Sequence, residues 1–299
     1  LAEGVRVFTQ TELGFERKRF TDLDISAEQV VAADLDGDGF ADLYALMREG
    51  PPRIYWGGPG GLDAGRFAEL ALPDAAGDDA DDSRQVSEEE SAGRRGPVAK
   101  VVRLRGVPHV FAATRDAAHL IPVDPARRFG AALTFRAQRA LSVAVADVNG
   151  DGHDDLVVAA QDRAGDQERS WVYWGGPGGF DRGRRTPLPT DHVRDVDAAD
   201  LDGDGRAEVV FCRERDERSY SVASPLFRFQ PDGAFGAPVW LPSEGARRVL
   251  IARLGEAQRP SVVFVNQYSR GWRGDARPVI YWGGDDGFAR KEALHVQRK

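Results

Sequence analysis

Cysteine is almost absent from this sequence: Cys212 stands alone in 299 residues. An intrachain disulfide is therefore excluded, and Cys212, inside the apolar run Val209–Cys212, reads as a small core residue. No apolar run approaches the ~20 residues that a membrane-spanning helix needs, so no membrane insertion is expected. Nor does any stretch sustain a helical period in its apolar residues. Basic surplus is missing too. Against 48 Asp and Glu stand 40 Lys and Arg, a net charge of −8, which speaks against non-specific nucleic-acid binding. No Ser/His/Asp motif, phosphate-cradling loop or zinc-ligand spacing is found among the five histidines and their neighbours. No apolar signal segment opens the chain at Leu1, which suits a mature secreted chain and an excised piece alike.

What the sequence has is repetition. Ala33-Asp-Leu-Asp-Gly-Asp-Gly-Phe-Ala-Asp-Leu43 recurs as Ala146-Asp-Val-Asn-Gly-Asp-Gly-His-Asp-Asp-Leu156 and Ala199-Asp-Leu-Asp-Gly-Asp-Gly-Arg-Ala-Glu-Val209. Downstream of the first two runs, and once more near the end of the chain, stand Tyr55-Trp-Gly-Gly-Pro-Gly-Gly-Leu62, Tyr173-Trp-Gly-Gly-Pro-Gly-Gly-Phe180 and Tyr281-Trp-Gly-Gly-Asp-Asp-Gly-Phe288. Two further units keep the strand pattern without the acids, around Arg103-Leu-Arg-Gly and Arg253-Leu-Gly-Glu. Asp34, Arg103, Asp147, Asp200 and Arg253 are equivalent positions, with spacings of 69, 44, 53 and 53 residues. Four short β-rich runs, each bounded by Gly, Pro or Asp, fit into one such unit. This spacing predicts an all-β chain, a single β-propeller of four-stranded blades. The units are 28–74, 97–137, 141–190, 194–242 and 247–297, five complete blades, with residues 1–20 as an N-terminal half-blade. Residues 74–95 hold the acidic run that lengthens the first interval, an insert loop.

The acidic runs predict metal sites. A calcium ion takes about six to eight oxygens, and acids at positions 1, 3 and 5 of a tight loop supply several of them. Glycine at positions 4 and 6 permits the positive-φ turns that aim those acids inward. The expected ligands are Asp34, Asp36, Asp38, the Phe40 carbonyl and Asp42 in the first loop. In the second they are Asp147, Asn149, Asp151, the His153 carbonyl and Asp155. In the third they are Asp200, Asp202, Asp204, the Arg206 carbonyl and Glu208. Three Ca²⁺ ions follow, and none is expected in the two units without acids. An EF-hand shares the opening of this pattern but needs a bidentate acid at position 12, where Ala45, Val158 and Phe211 stand.

Asp-x-Asp-x-Asp-Gly-x-x-Asp between two β-runs resembles the FG-GAP/VCBS repeats of integrin α-subunit propellers and many bacterial extracellular proteins. Tyr-Trp-Gly-Gly-Pro-Gly-Gly-Phe looks like their turn between the third and fourth strands. The resemblance implies a propeller with Ca²⁺ at the turns between first and second strands, in a protein outside the cytoplasm, extracellular or periplasmic. It leaves the ligand open, because such repeats serve adhesion, sugar binding and enzymes.

Antiparallel strand order puts the acidic loops and the Tyr-Trp-Gly-Gly turns at one end of the blades. The irregular connections 74–95, 161–169, 213–219 and 266–277 gather at the other, which is the expected recognition face. Tyr268, Arg270, Trp272, Arg273 and Asp275 are the candidate ligand-binding residues there, aromatic and guanidinium groups of the kind that dominate interfaces. Arg273-Gly-Asp275 also spells an adhesion tripeptide, which a chain this rich in those residues forms by chance. Trp56, Trp174 and Trp282 recur at one position and read as blade-packing residues. Three functions remain open: a protein-binding or adhesion module, a lectin, and a carbohydrate-active enzyme such as a polysaccharide lyase or hydrolase. A non-enzymatic calcium-stabilised module that takes a protein or glycan is the preferred reading.

Overall fold

The computed structural model describes residues 4–11, 14–72, 97–164, 167–216, 218–255, 257, 259–269, 272–273, 277–284 and 287–293. The acidic insert 74–95, as well as Arg270 and Asp275, lies outside the described residues. Every regular element among them is a strand. The chain divides into two compact units, residues 1–94, 99–112 and 119–134 in one and residues 95–98, 113–118 and 135–299 in the other.

Strands β1 (Val5–Thr11) and β2 (Gly14–Leu23) form an antiparallel pair, the partial blade expected at the N-terminus. Five four-stranded antiparallel sheets follow, the blades of a β-propeller. The first holds β3 (Ala27–Ala33), β4 (Asp42–Met47), β5 (Arg53–Tyr55) and β6 (Phe67–Glu69). The second holds β7 (Val101–Leu104), β8 (Val107–Ala113), β9 (Ala117–Pro122) and β10 (Leu133–Arg136). In the third are β11 (Ala140–Ala146), β12 (Asp155–Ala164), β13 (Gln167–Tyr173) and β14 (Arg185–Pro189). In the fourth are β15 (Val193–Ala199), β16 (Glu208–Arg213), β17 (Ser221–Phe227) and β18 (Val239–Glu244). The fifth has β19 (Ala246–Ala252) and β20 (Ser261–Asn266), then a small hairpin, β21 (Tyr268–Ser269) with β22 (Trp272–Arg273), before β23 (Val279–Gly284) and β24 (Gly287–Ala293).

Sequence chemistry explains these sheets. Inner strands such as Asp155–Ala160 and Glu208–Cys212 are fully buried, as in a blade stacked on both faces, and so read as continuous apolar runs. In the second unit Val157, Val172, Val196 and Phe211 pack into one core, and Val210, Leu226, Val262 and Phe264 into the next. In the first unit Tyr44, Ile54, Trp56, Val110 and Ile121 form another. Each fully buried aliphatic or phenylalanine contributes about 1.5–3 kcal/mol. Four of the five first-to-second strand pairs also share an irregularity near their start, at Ala27/Gln29, Ala140/Ser142, Val193/Asp195 and Ala246/Arg248. Such bulges bend and twist the strand locally.

The Tyr-Trp pair stitches blades together. The Tyr173 hydroxyl donates to the Arg136 carbonyl at the outer edge of the blade before it. That of Tyr281 donates to the Pro242 carbonyl at 2.6 Å. The neighbouring tryptophan packs the other way: Trp174 lies 5.0 Å from Phe229 and 6.0 Å from Phe235 in the following blade. Trp56 and Trp174 are buried and Trp282 is half-buried, so the indoles act in packing.

Candidate functional site

Each acidic loop closes a hairpin whose register is set by the residue at position 9. Ala33 pairs with Asp42, Ala146 with Asp155, and Ala199 with Glu208. Within the loop, side-chain oxygens satisfy backbone N–H groups at fixed offsets. Asp34 accepts from Gly37 at 2.7 Å and Gly39 at 3.1 Å. Asp36 accepts from the Asp38 N–H at 3.0 Å, and Asp38 from Phe40 at 2.9 Å. The second loop repeats this with Asp147 on Gly150 and Gly152, Asn149 on Asp151, and Asp151 on His153. The third repeats it with Asp200 on Gly203 and Gly205, Asp202 on Asp204, and Asp204 on Arg206. Glycine is required at positions 4 and 6, where Gly37 and Gly39 have φ of 78° and 86°.

Position 9 does something the sequence pattern did not announce. The Asp42 carboxylate is fully buried and bridges two turns, accepting from Leu35 at 2.9 Å and from Gly57 of the Tyr-Trp-Gly-Gly turn at 2.8 Å. Asp155 does the same for Val148 and Gly175, at 2.9 and 2.7 Å. Glu208 accepts from Leu201 at 2.8 Å, and the Arg228 Nε, at 2.9 Å, takes the place of the glycine N–H. Ser261 of the acid-free fifth blade keeps half of this bridge, accepting from Gly283 at 3.1 Å. The second blade dispenses with a loop altogether: β7 and β8 join through Arg105 and Gly106, both at positive φ, a two-residue hairpin turn.

Burial raises the pKa of these position-9 acids. The Asp42 and Glu208 carboxyls lie above their ordinary range because they are desolvated. Asp155 is pushed up to about 6 by the same cause, with Asp151 and Asp147 adding to it. A cation in the loop would offset that cost. The donor chemistry fits a hard cation: oxygens of Asp34, Asp36 and Asp42 lie within 4.8 Å of one another, as do those of Asp200, Asp202 and Asp204. Among the described residues the second loop brings no three carboxylates together in this way, Asn149 standing where the others have aspartate.

Arginines also approach the acids, two of them from outside the acidic loops. Arg127, held at a φ of 63°, reaches Asp36 at 2.6 Å and Asp38 at 3.3 Å while lying over the Trp56 ring. In the third loop Arg206 pairs with Asp204 at 2.9 Å, and Arg228 stands 3.9 Å from Asp202. Among the described residues no ion pair is made by Asp147 or Asp151 of the second loop.

The expected ligand-binding residues are placed only in part. Tyr268 pairs with Arg273, and Ser269 with Trp272, in the small hairpin of the fifth blade. Arg270 and Asp275 lie outside the described residues. In the second unit a different concavity is evident, a cleft of about 770 Å³ between the third and fourth blades. It is lined by the facing ends of β12 and β13, by the connections after β14 and β16, and by Trp240 of β18. Segment 213–219 is one of the expected irregular connections, whereas 161–169 is drawn into the paired ends of β12 and β13, Arg163 opposite Glu168; Trp240 carried no signal beyond being a tryptophan outside the repeat.

Residues 147–211 match the FG-GAP-like repeat family. The chain therefore carries an FG-GAP-like repeat there, spanning the second and third acidic loops, in line with the FG-GAP/VCBS family that those loops resemble. No curated protein sequence matches the chain. Among solved structures it is similar to BBS1N in complex with ARL6DN, soaked with mercury, at 12% identity and a TM-score of 0.34, covering 82% of this chain and 90% of that one. The lead-soaked form of the same complex gives 12% identity and a TM-score of 0.30, with 82% and 91% covered. Likeness at this level says nothing about function.

Proposed function

We propose that this protein is a calcium-stabilised binding or scaffolding module outside the cytoplasm, extracellular or periplasmic, that takes a protein or glycan ligand and catalyses no reaction. The FG-GAP-like repeat and the propeller fold suit a binding or scaffolding role. The observation that carries the calcium part is the pair of carboxylate clusters at Asp34, Asp36, Asp42 and at Asp200, Asp202, Asp204. Ca²⁺ bound there would neutralise acids brought together by the turn and lock the loop to the turn it faces through position 9. The second loop shares the hydrogen-bond pattern and is the third site. Extracellular modules bind Ca²⁺ with dissociation constants of about 10⁻⁴–10⁻³ M, and sites of that class fill only where the ion is plentiful.

Support for a ligand at the irregular end of the blades is geometric. The acidic ends are built from near-identical turns and offer little to tell one ligand from another, whereas the variable connections lie at the other end. The test has two arms. Calorimetric titration of the metal-free protein with Ca²⁺ should give three sites, and fewer than two would overturn the calcium reading. A glycan array with and without chelator, alongside affinity capture of protein partners, tests the binding role; no ligand in either format would overturn it.

A further inference from the structure

Trp240 differs from the other described indoles of the chain. Trp56, Trp171 and Trp174 are buried, and Trp282 donates its Nε1–H to Glu292 at 3.1 Å. Trp171 and Trp174 donate theirs to Asp162 and Thr186. Trp240 is 50% exposed, on the wall of the cleft between the third and fourth blades. Among the described residues its ring has no aromatic or cationic partner. An exposed indole costs apolar surface in water and is an anchor when something flat covers it.

Facing this ring the cleft is polar, and its lining is balanced in charge. Three guanidiniums, of Arg163, Arg213 and Arg218, share it with three carboxylates, of Glu168, Asp191 and Asp216. Arg163 pairs with Glu168 at 3.4 Å, and Arg213 pairs with Asp191. Glu168 is buried and accepts the His192 N–H at 2.9 Å. Asp216 accepts the N–H groups of Arg218 and Ser219, both at 2.7 Å. An anionic ligand competing for Arg163 would leave buried Glu168 without its counter-charge, and a cationic one competing for Asp191 would strand Arg213, whose side chain is largely buried. Breaking such a pair is costly. A neutral ligand avoids both penalties. The lining offers guanidinium donors beside carboxylate acceptors, and a sugar hydroxyl is donor and acceptor at once. The apolar face of a pyranose is the flat surface an indole covers. A concavity of about 770 Å³ falls within the range of small-ligand sites.

We propose that this cleft binds an uncharged oligosaccharide, with Trp240 as the stacking platform and the Arg163–Glu168 and Arg213–Asp191 pairs as hydroxyl partners. The inference rests on the binding-module reading and commits it to a neutral glycan and to a location. The test titrates the calcium-loaded protein, by intrinsic fluorescence, with cellotetraose, maltotetraose, laminaritetraose, xylotetraose and mannotetraose. A tetragalacturonate serves as the anionic comparison. At least one neutral tetraose should bind, and Trp240→Ala should weaken it by about tenfold or more while Trp240→Phe keeps most of the affinity. The calcium-dependent melting shift should be the same in both variants, which reports that the fold is intact. The proposal is overturned if no neutral tetraose binds at about 10 mM, if tetragalacturonate binds more tightly, or if Trp240→Ala binds as wild type does. In the last case the binding-module reading stands and only the cleft is wrong, whereas a protein partner on affinity capture with no sugar bound keeps the module and removes the glycan.

Discussion

Gly175 is the point at which the two repeated motifs press on each other. Its N–H donates to Asp155 at 2.7 Å, and a Cβ built on it would run into the carbonyl oxygen of Asp154, backbone that has no freedom to swing aside. Gly175→Ala should therefore force the Tyr-Trp-Gly-Gly turn away from the acidic loop. Overpacking costs about 1–3 kcal/mol, and lengthening a buried bond to a carboxylate adds to it, so about 2–4 kcal/mol is expected. For a chain of this size that is a drop of roughly 4–8 °C in melting temperature. The adjacent residue is the control. Around Gly176 the nearest atom to a Cβ is the Gly179 carbonyl oxygen at 3.9 Å, an ordinary contact, so Gly176→Ala should change stability by less than about 0.5 kcal/mol. The first blade gives an independent copy: a Cβ on Gly57 meets the Ala41 carbonyl, while one on Gly58 meets only the end of Arg66 at 3.8 Å. Urea unfolding followed by far-ultraviolet circular dichroism measures all four variants. If the two members of either pair unfold at the same denaturant concentration, the coupling of turn to loop is refuted.

Excess chelator should lower the melting temperature of the calcium-loaded protein, since an ion that binds only the folded state stabilises it by mass action. Asp151→Ala should remove one site and part of that shift; an unmoved melting curve in chelator would refute a structural role for the ions. The imidazoles of His109 and His119 are held below the ordinary value of 6.5 by burial, so the unfolded chain binds protons first as pH falls below 6.5. Their contribution to stability is present above that value and lost between it and their depressed folded values. Proton NMR titration showing either ring at or above 6.5 would contradict this. The Cys212 thiol is fully buried and its pKa raised by that burial, so a thiol reagent should label it only on unfolding. Labelling of the folded protein as fast as of the unfolded chain would refute its core position. Tyr44→Phe removes a 2.6 Å bond to the Phe111 carbonyl and leaves that acceptor buried, at a cost of about 1–3 kcal/mol by urea unfolding.

Residue order alone settled what depends on near neighbours. Short β-rich runs bounded by Gly, Pro or Asp made strands, and the repeat marked five complete blades and their phase, including the N-terminal pair that forms β1 and β2. The acidic loops were legible because an aspartate that caps N–H groups two to five residues ahead needs only that spacing, with glycine where φ is positive. Contacts across tens of residues were decided by tertiary structure. Nothing local says that the position-9 acid faces a glycine 15 or 20 residues on, since that depends on how the third strand returns beside the second. Arg127 meets Asp36 across 91 residues because a turn of the second blade packs against a loop of the first. Trp240 gains a partner surface only where β18 and the connections of two blades meet. A hydrogen bond within a turn is encoded in the order of residues, but a site assembled between blades depends on strand register, on twist, and on which rotamers the packed core leaves free.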